Sequence, residues 1–198
     1  MTVAATDRRA TTAAPTPAAP TPGPLSSDGA GAAPSRPPRA AGPSPRPLVR
    51  PAGAEDADPT RAFLAGLSLE SSYRRFFTGV GRPSDRLVRR LVDVDHDRRE
   101  ALVAVAGAEI VGLADYALIA GRADVAEFGV VVADGWQRRG LGPRLVGELL
   151  AVAGDRGVVA MRAHTLADNA RVARLLRRRW PAVRPVREDT LLVWELPL

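Results

Sequence analysis

Two features of this chain could do chemistry: a carboxylate at Glu127, and a glycine-spaced run ten positions on, Gln137-Arg138-Arg139-Gly140-Leu141-Gly142. Between them lies the apolar stretch Phe128-Gly129-Val130-Val131-Val132. An apolar strand feeding a glycine turn that opens an amphipathic segment aims backbone N–H groups and a helix N-terminus at one point, which suits an anionic phosphate. Arg138 and Arg139 add charge, and Pro143 tolerates the first helical turn but offers no N–H, so the donors must come from Arg138 to Gly142. Two commoner glycine motifs are excluded. Leu145 stands where Gly-x-Gly-x-x-Gly needs its third glycine, and no Gly-x-x-x-x-Gly-Lys-Ser/Thr loop occurs.

The elements that position these residues follow from periodicity. Leu48 to Arg50 reads as a short strand, and Asp58 or Thr60 can cap a helix through Leu67. Ser68 to Phe77 reads as a second helix with Leu69, Tyr73, Phe76 and Phe77 at helical spacing. Gly79 to Pro83 breaks the chain before Ser84 caps a third helix with Leu87, Val88, Leu91 and Val92 inward. The period then changes to two. Ala101–Ala106 and Ile110–Ile119 flank Gly107-Ala108 as a hairpin, and Val125–Val132 follows the turn at Gly121-Arg122. After the glycine loop, Leu141, Leu145, Val146, Leu149, Leu150 and Ala153 mark one helical face, ended by Gly157. Val158–Ala163 reads as a strand parallel to the one before that helix. Asp168 caps a helix carrying Val172, Leu175 and Leu176, Pro181 stops it, and 183–186 and 191–196 read as closing strands. On the central strand Ala123, Val125 and Glu127 share a face, so the Glu127 carboxylate would sit among apolar neighbours, an environment that makes a carboxylate a better base.

The 198 residues are 45% apolar, enough for one domain of ordinary size. Residues 1–45 are dominated by Ala, Pro, Thr, Ser and Gly, with one Leu and no aromatic residue; they read as a disordered tail ahead of a folded domain at 46–198. The tail lacks a signal-peptide apolar region, no run is long enough for a membrane span, and there is no cysteine for a disulfide or thiolate metal site. The expectation is a cytoplasmic protein, not membrane-bound and without a metal. The net charge of +6 comes with arginine as the sole long basic residue, so it reads as compositional bias and not as the footprint of a nucleic-acid partner.

The element order, with Gln137-x-x-Gly140-x-Gly142 at its centre, resembles the GNAT superfamily of acyl-CoA-dependent N-acetyltransferases. Asn169 opening a helix after the next strand, and the Val130-Val131-Val132 stretch, match at two further places. The segments Leu67 to Phe77, Val94 to Asp97 and Glu100 to Ala104 look like the acetyltransferase domain of bacterial Pat-type protein lysine acetyltransferases. The resemblance covers about Arg46 to Leu198. It departs at Trp180-Pro181, where the family has Gly-Phe, and at Leu176, where many members carry a tyrosine acid that Pat-like domains also commonly lack. Residues 1–45 are too few and too polar for the regulatory domain some Pat proteins carry.

The resemblance implies an α/β (α+β) fold, a mixed, mostly antiparallel twisted sheet flanked by helices, with a splayed strand pair that holds acetyl-CoA as co-substrate. It implies that Glu127 is the general base, that Gly129 marks a bulge, and that the main chain of Val130, Val131 and Val132 meets pantetheine. Arg138, Arg139, Gly140, Leu141, Gly142 and Pro143 would wrap the pyrophosphate. The alternative for Glu127 is a strand-edge glutamate paired with an arginine such as Arg122 or Arg162, and Asn169 serves equally as a helix cap or a cofactor contact. Asp93, Asp95 and His96 could face a cationic acceptor or be loop charge, His164 reads as structural, and Arg177-Arg178-Arg179 as a wet helix face. The acceptor implied is a lysine side chain of a protein, such as an acyl-CoA synthetase; a small amine, or a silent acyl-CoA-binding regulatory module, are the competing readings.

Overall fold

In the computed structural model, residues 46–78 and 82–198 are described; the expected tail at 1–45 and the Gly79 to Gly81 part of the expected break lie outside them. Seven strands form one mixed sheet in the order β1-β2-β3-β4-β5-β7-β6, with β1 Leu48–Pro51, β2 Arg99–Ala106, β3 Glu109–Ile119, β4 Arg122–Val132, β5 Ala160–Leu166, β6 Val186–Glu188 and β7 Leu191–Pro197. Every pairing is antiparallel except β4 with β5. That parallel pair requires a crossover, supplied by α4, Leu141–Asp155.

The alternation of β4 splits its side chains between two cores. Ala126, Phe128, Val130 and Val132 pack with Leu145, Val146 and Leu149 of α4 and with Val172 and Leu176 of α5, Ala170–Arg179. Val131 packs on the other face with Phe63 and Leu64 of α1, Ala57–Ala65, and Val88 and Leu91 of α3, Asp85–Val92. Glu127 and Gly129 share the face of Val131 by the period of two.

Several local expectations shift. The first helix begins at Ala57 after a 3-10 turn, so neither Asp58 nor Thr60 caps it. Asp56 ends that turn with its carboxylate held by both Arg50 Nη atoms at 2.7 Å and by the Gly53 N–H at 2.9 Å. Ser68 and Ser84 do cap their helices, accepting from the N–H of Ser71 and of Leu87. The fifth helix is capped by Asn169, not Asp168, because the Asn169 carbonyl oxygen reaches the Val172 N–H at 3.3 Å. β5 starts at Ala160, two residues later than expected, and β6 covers 186–188, since Pro185 cannot donate to a ladder.

The second helix, α2 Leu69–Phe76, turns its polar face inward. Ser71, Ser72 and Arg75 are buried while Leu69 and Tyr73 are exposed. Polar partners on the sheet decide this: Arg75 pairs with Asp115 of β3, and Ser71 donates to Asp134 at 2.7 Å.

Candidate active site

The β4–β5 ladder is short. Val125 pairs with Ala160, Ala126 with Met161 and Glu127 with Arg162, and there the register ends, although β4 runs on to Val132 and β5 to Leu166. Two parallel strands that part company leave backbone groups on their facing edges available to a ligand. The bulge expected at Gly129 is absent: Tyr116–Phe128, Asp115–Gly129 and Ala114–Val130 are consecutive pairs, and the β3–β4 irregularity falls at Leu118/Ile119. The open edge comes from the departure of β5, not from a bulge. Gly129 is needed for another reason, since a Cβ there would lie 2.4 Å from Cζ of Arg75.

Glu127 stands at the apex of this opening. Of the Arg residues weighed as its partners, Arg162 pairs with Glu195 at 2.6 Å and Arg122 with Asp124 at 3.7 Å. Oε1 of Glu127 lies 2.8 Å from Nδ1 of His164, with the two side chains 18% and 13% exposed. That ring nitrogen makes no hydrogen bond, so the contact is one of proximity. His164 is thus next to the candidate base, and the surroundings of Glu127 are more polar than strand periodicity alone indicates.

The glycine loop forms the mouth. Arg138 and Gly140 both take left-handed backbone, φ 62° and 82°, and Gly140 precedes the first turn of α4. An arginine there is strained by about 1–3 kcal/mol, a cost tolerated where the surroundings impose the conformation. Gln137 imposes it: its amide donates to the Val132 carbonyl at 3.1 Å and to Ser71 at 3.0 Å. Asp134 receives the Ser68 N–H and hydroxyl at 2.9 Å each, tying the loop to α2. Burial works against the Asp134 carboxylate, but the bonds from Ser68 and Ser71 outweigh it and hold its pKa below the ordinary range. The first turn of α4 carries no acidic residue, which leaves its N–H groups electropositive.

Two adjoining cavities run from the loop to α5. One of about 200 Å³ is lined by Val132, Arg138, Gly140, Gly142, Pro143 and Arg171, among others, and one of about 290 Å³ by Glu70, Arg74, Asp134, Arg138, Asn169 and Arg171, among others. A third, of about 450 Å³, continues between α4 and α5 past Pro143, Arg171, Arg174 and Trp180. The structure therefore brings Arg138, Gly140, Gly142, Pro143 and Asn169 together with Val132.

The remaining expected residues stand differently. The side chains of Val130, Val131, Val132 and Leu141 are buried in the cores, so only their main chain faces a ligand, and the Val132 carbonyl is already held by Gln137. Arg139 lies over the Trp136 ring at 5.3 Å and lines none of these cavities. Asn169 caps α5 and accepts from Arg74 at 3.3 Å. Asp95 caps its own loop through the N–H groups of Asp97 and Arg99. His96 bonds buried Glu100 at 2.8 Å, and Glu100 pairs in register with Tyr116 on the α4 side, opposite Glu127. Leu176, in the tyrosine position, is core. Periodicity did not single out Arg171, which lines all three cavities, nor the Ser71–Asp134–Gln137 network. The one available signal for Arg171 was its place in the first turn after Asn169.

Residues 66–179 match the Acetyltransferase (GNAT) family, and the chain belongs to that family, whose members are acetyl-CoA N-acetyltransferases. Among individual relatives, it is 30% identical over 132 residues to Acetyltransferase Pat of Mycolicibacterium smegmatis, covering 66% of this chain and 39% of that protein. It is 30% identical over 126 residues to Acetyltransferase PA5475 of Pseudomonas aeruginosa, covering 62% of this chain and 67% of that protein. The crystal structure of the GNAT domain of S. lividans PAT superposes with a TM-score of 0.69 at 31% identity, covering 76% of this chain and 89% of that one. The chain thus spans about two fifths of Pat itself. Among the described residues, no helix is long and apolar enough to cross a membrane.

Proposed function

We propose that this acetyltransferase transfers the acetyl group of acetyl-CoA to a lysine side chain of a protein in the cytoplasm, an acyl-CoA synthetase being the model acceptor, with Glu127 as general base. The observation that carries the reading is the end of the β4–β5 ladder at Glu127–Arg162, which sets a carboxylate at the apex of an open strand edge whose mouth is the glycine loop. The residues fit acetyl-CoA. Arg138, Arg171 and the N–H groups of Gly140, Leu141 and Gly142 would hold the pyrophosphate, the backbone of Val130 and Val131 the pantetheine amides, and Asn169 the strand-to-helix turn beside it. No metal is called for.

Acetyl-CoA supplies an activated acyl thioester. A lysine arrives as an ammonium, and its deprotonation at neutral pH costs about 4 to 5 kcal/mol. Glu127 takes that proton through a water, the neutral nitrogen attacks the carbonyl carbon, and the C–N bond forms as the C–S bond breaks. As it becomes an amide the nitrogen sheds a second proton, which the departing thiolate takes up by way of solvent, so the proton drawn from the ammonium is the one released per turnover. A backbone N–H on the open edge of β4 steadies the carbonyl oxygen as charge develops. With no cysteine in the chain, direct transfer rather than a thioester-linked enzyme fits. A protein acceptor is favoured over a small amine by α2, which walls the cavity with Glu70 and Arg74 while turning Leu69 and Tyr73 outward, 76% and 47% exposed.

The test is incubation with acetyl-CoA and a panel of an acyl-CoA synthetase, lysine peptides and small amines, read by mass spectrometry. Acetylated protein lysine is the expected result; acetylation confined to small amines refutes the acceptor assignment. Glu127→Gln should lower turnover about 10²–10⁴-fold while leaving CoA affinity nearly intact. Unchanged turnover refutes the base.

A further inference from the structure

We propose that Ser71 is a positioning residue that ties helix α2 to the phosphate loop, so that acetyl-CoA in the loop fixes α2 for the incoming amine. The inference rests on the reading of the glycine loop as the acetyl-CoA site and of α2 as the helix that meets the acceptor.

The two ends of α2 are held by different means. At its C-terminal end Phe76 packs against the α1–α3 core, and buried Arg75 pairs with Asp115 of β3. At its N-terminal end Leu69 and, one turn on, Tyr73 stay in solvent, so hydrogen bonds carry the docking there. The Ser71 hydroxyl stands at their centre. It donates to Asp134 at 2.7 Å and accepts from the Gln137 amide at 3.0 Å, while Asp134 also takes the Ser68 N–H and hydroxyl at 2.9 Å each. Asp134 opens and Gln137 follows the 3-10 turn Asp134–Trp136, and the next residue is Arg138, with its left-handed φ of 62°. Ser71 is 6% exposed, so its bonds are exchanged for water when the first turn of α2 lifts away.

The same helix walls the cofactor cavity. Ser71 and Arg74 line the space of about 290 Å³ beside Arg138, Asn169 and Arg171, and Arg74 donates to Asn169 at 3.3 Å. Its other partner, Glu70 of the same helix at 2.7 Å, is an exposed contact of small energetic weight. A docked α2 thus brings a third guanidinium to walls that already carry two, and an anionic ligand gains from the docked helix what a lifted one does not offer. Phosphate in the loop also rewards the strained Arg138 backbone that Gln137 holds, so loop and helix are set together. Such coupling is reciprocal: acetyl-CoA tightens the acceptor by the factor that the acceptor tightens acetyl-CoA.

Hydrogen exchange of the full chain, followed by mass spectrometry with and without CoA, tests this. In wild type, CoA should slow exchange both in the loop and first turn of α4, 137–145, and in α2, 68–77. Ser71→Ala removes one hydroxyl and keeps a helix former; CoA should still protect the loop, but its protection of α2 should fall about 5–10-fold. Asp134→Asn, of the same shape with one acceptor oxygen fewer, should behave alike, so the test does not hang on a single variant. Kinetics with the best amine of the panel supply the second readout: in both variants KM for the amine at saturating acetyl-CoA should rise about 5–10-fold. Loop protection without α2 protection in wild type leaves the cofactor site standing and overturns the coupling. Protection of α2 in both variants equal to wild type overturns the role of Ser71. Faster exchange throughout the sheet, alike with and without CoA, makes the hydroxyl merely structural and refutes the proposal. If CoA protects neither segment and gives no heat in calorimetry, the acetyl-CoA reading falls and takes this inference with it.

Discussion

Gly129→Ala tests how α2 is held over the open strand pair. A Cβ at this position would sit 2.4, 2.5 and 2.7 Å from Cζ, Nη2 and Nη1 of Arg75. Carbon contacts are comfortable at about 3.5–4.0 Å, so the guanidinium would have to retreat by about 1 Å. Arg75 is only 2% exposed and is paired with Asp115, so it has no free direction in which to retreat. Overpacking costs about 1–3 kcal/mol, and breaking a buried ion pair about 3–5 kcal/mol. A loss of about 2–4 kcal/mol is therefore expected, a fall in Tm of roughly 5–15 °C for a domain of this size. The sign is diagnostic, because Gly→Ala at an unstrained site stabilises by about 0.4–1 kcal/mol through the unfolded chain. The assay is thermal and urea unfolding followed by circular dichroism, repeated in an Arg75→Ala background. With the guanidinium gone, Gly129→Ala should cost less than about 1 kcal/mol, giving a coupling of at least about 1 kcal/mol. Wild-type stability of Gly129→Ala, or equal cost in both backgrounds, would refute the close approach.

The remaining expectations concern the mouth of the site and acid stability. Gly140→Ala should weaken CoA binding about tenfold in calorimetry, because its φ of 82° strains an L-residue by about 1–2 kcal/mol and tilts the N–H groups that follow. Arg171→Ala and Arg138→Ala should each cost about 10–100-fold in CoA affinity and flatten its salt dependence, whereas Arg139→Ala, stacked on Trp136, should cost markedly less; equal losses for all three would contradict the geometry. The hydrogen bond from Arg50, ahead of the opposing effect of burial, lowers the pKa of Asp56 in the folded state. The stability it contributes is thus present above the unfolded value of about 3.9 and is lost as pH falls through the lower folded value. Wild type should therefore lose stability below about pH 4 more steeply than Asp56→Asn, and parallel pH curves would contradict this.

Much of the fold was legible because local signals and tertiary packing agree. Ser68 and Ser84 are caps in the sequence and in the structure, the hairpin at Gly107-Ala108 closes as the period of two requires, and the apolar face of α4 lies on the sheet. Caps move where a tertiary partner outbids the local one: Asp58 and Thr60 yield to a helix already begun behind the Arg50–Asp56 pair, and Asp168 to Asn169. The α2 helix is the clearest failure of periodicity. Its Leu69 and Tyr73 stay in solvent while Phe76 packs against the α1–α3 core, because Asp115 and Asp134 offer the polar face better partners.

The sequence by itself determined that a glycine-spaced, acid-free helix start follows a strand carrying Glu127, because residue type and spacing along one chain suffice to encode a backbone that welcomes phosphate. Only the tertiary structure decided where the strands part, that Arg162 turns to Glu195, that Arg75 crowds Gly129, and that His164 meets Glu127. Those relations join residues on separate strands and helices, and their distances depend on register and on competition among charged partners. No periodicity within a single segment encodes either.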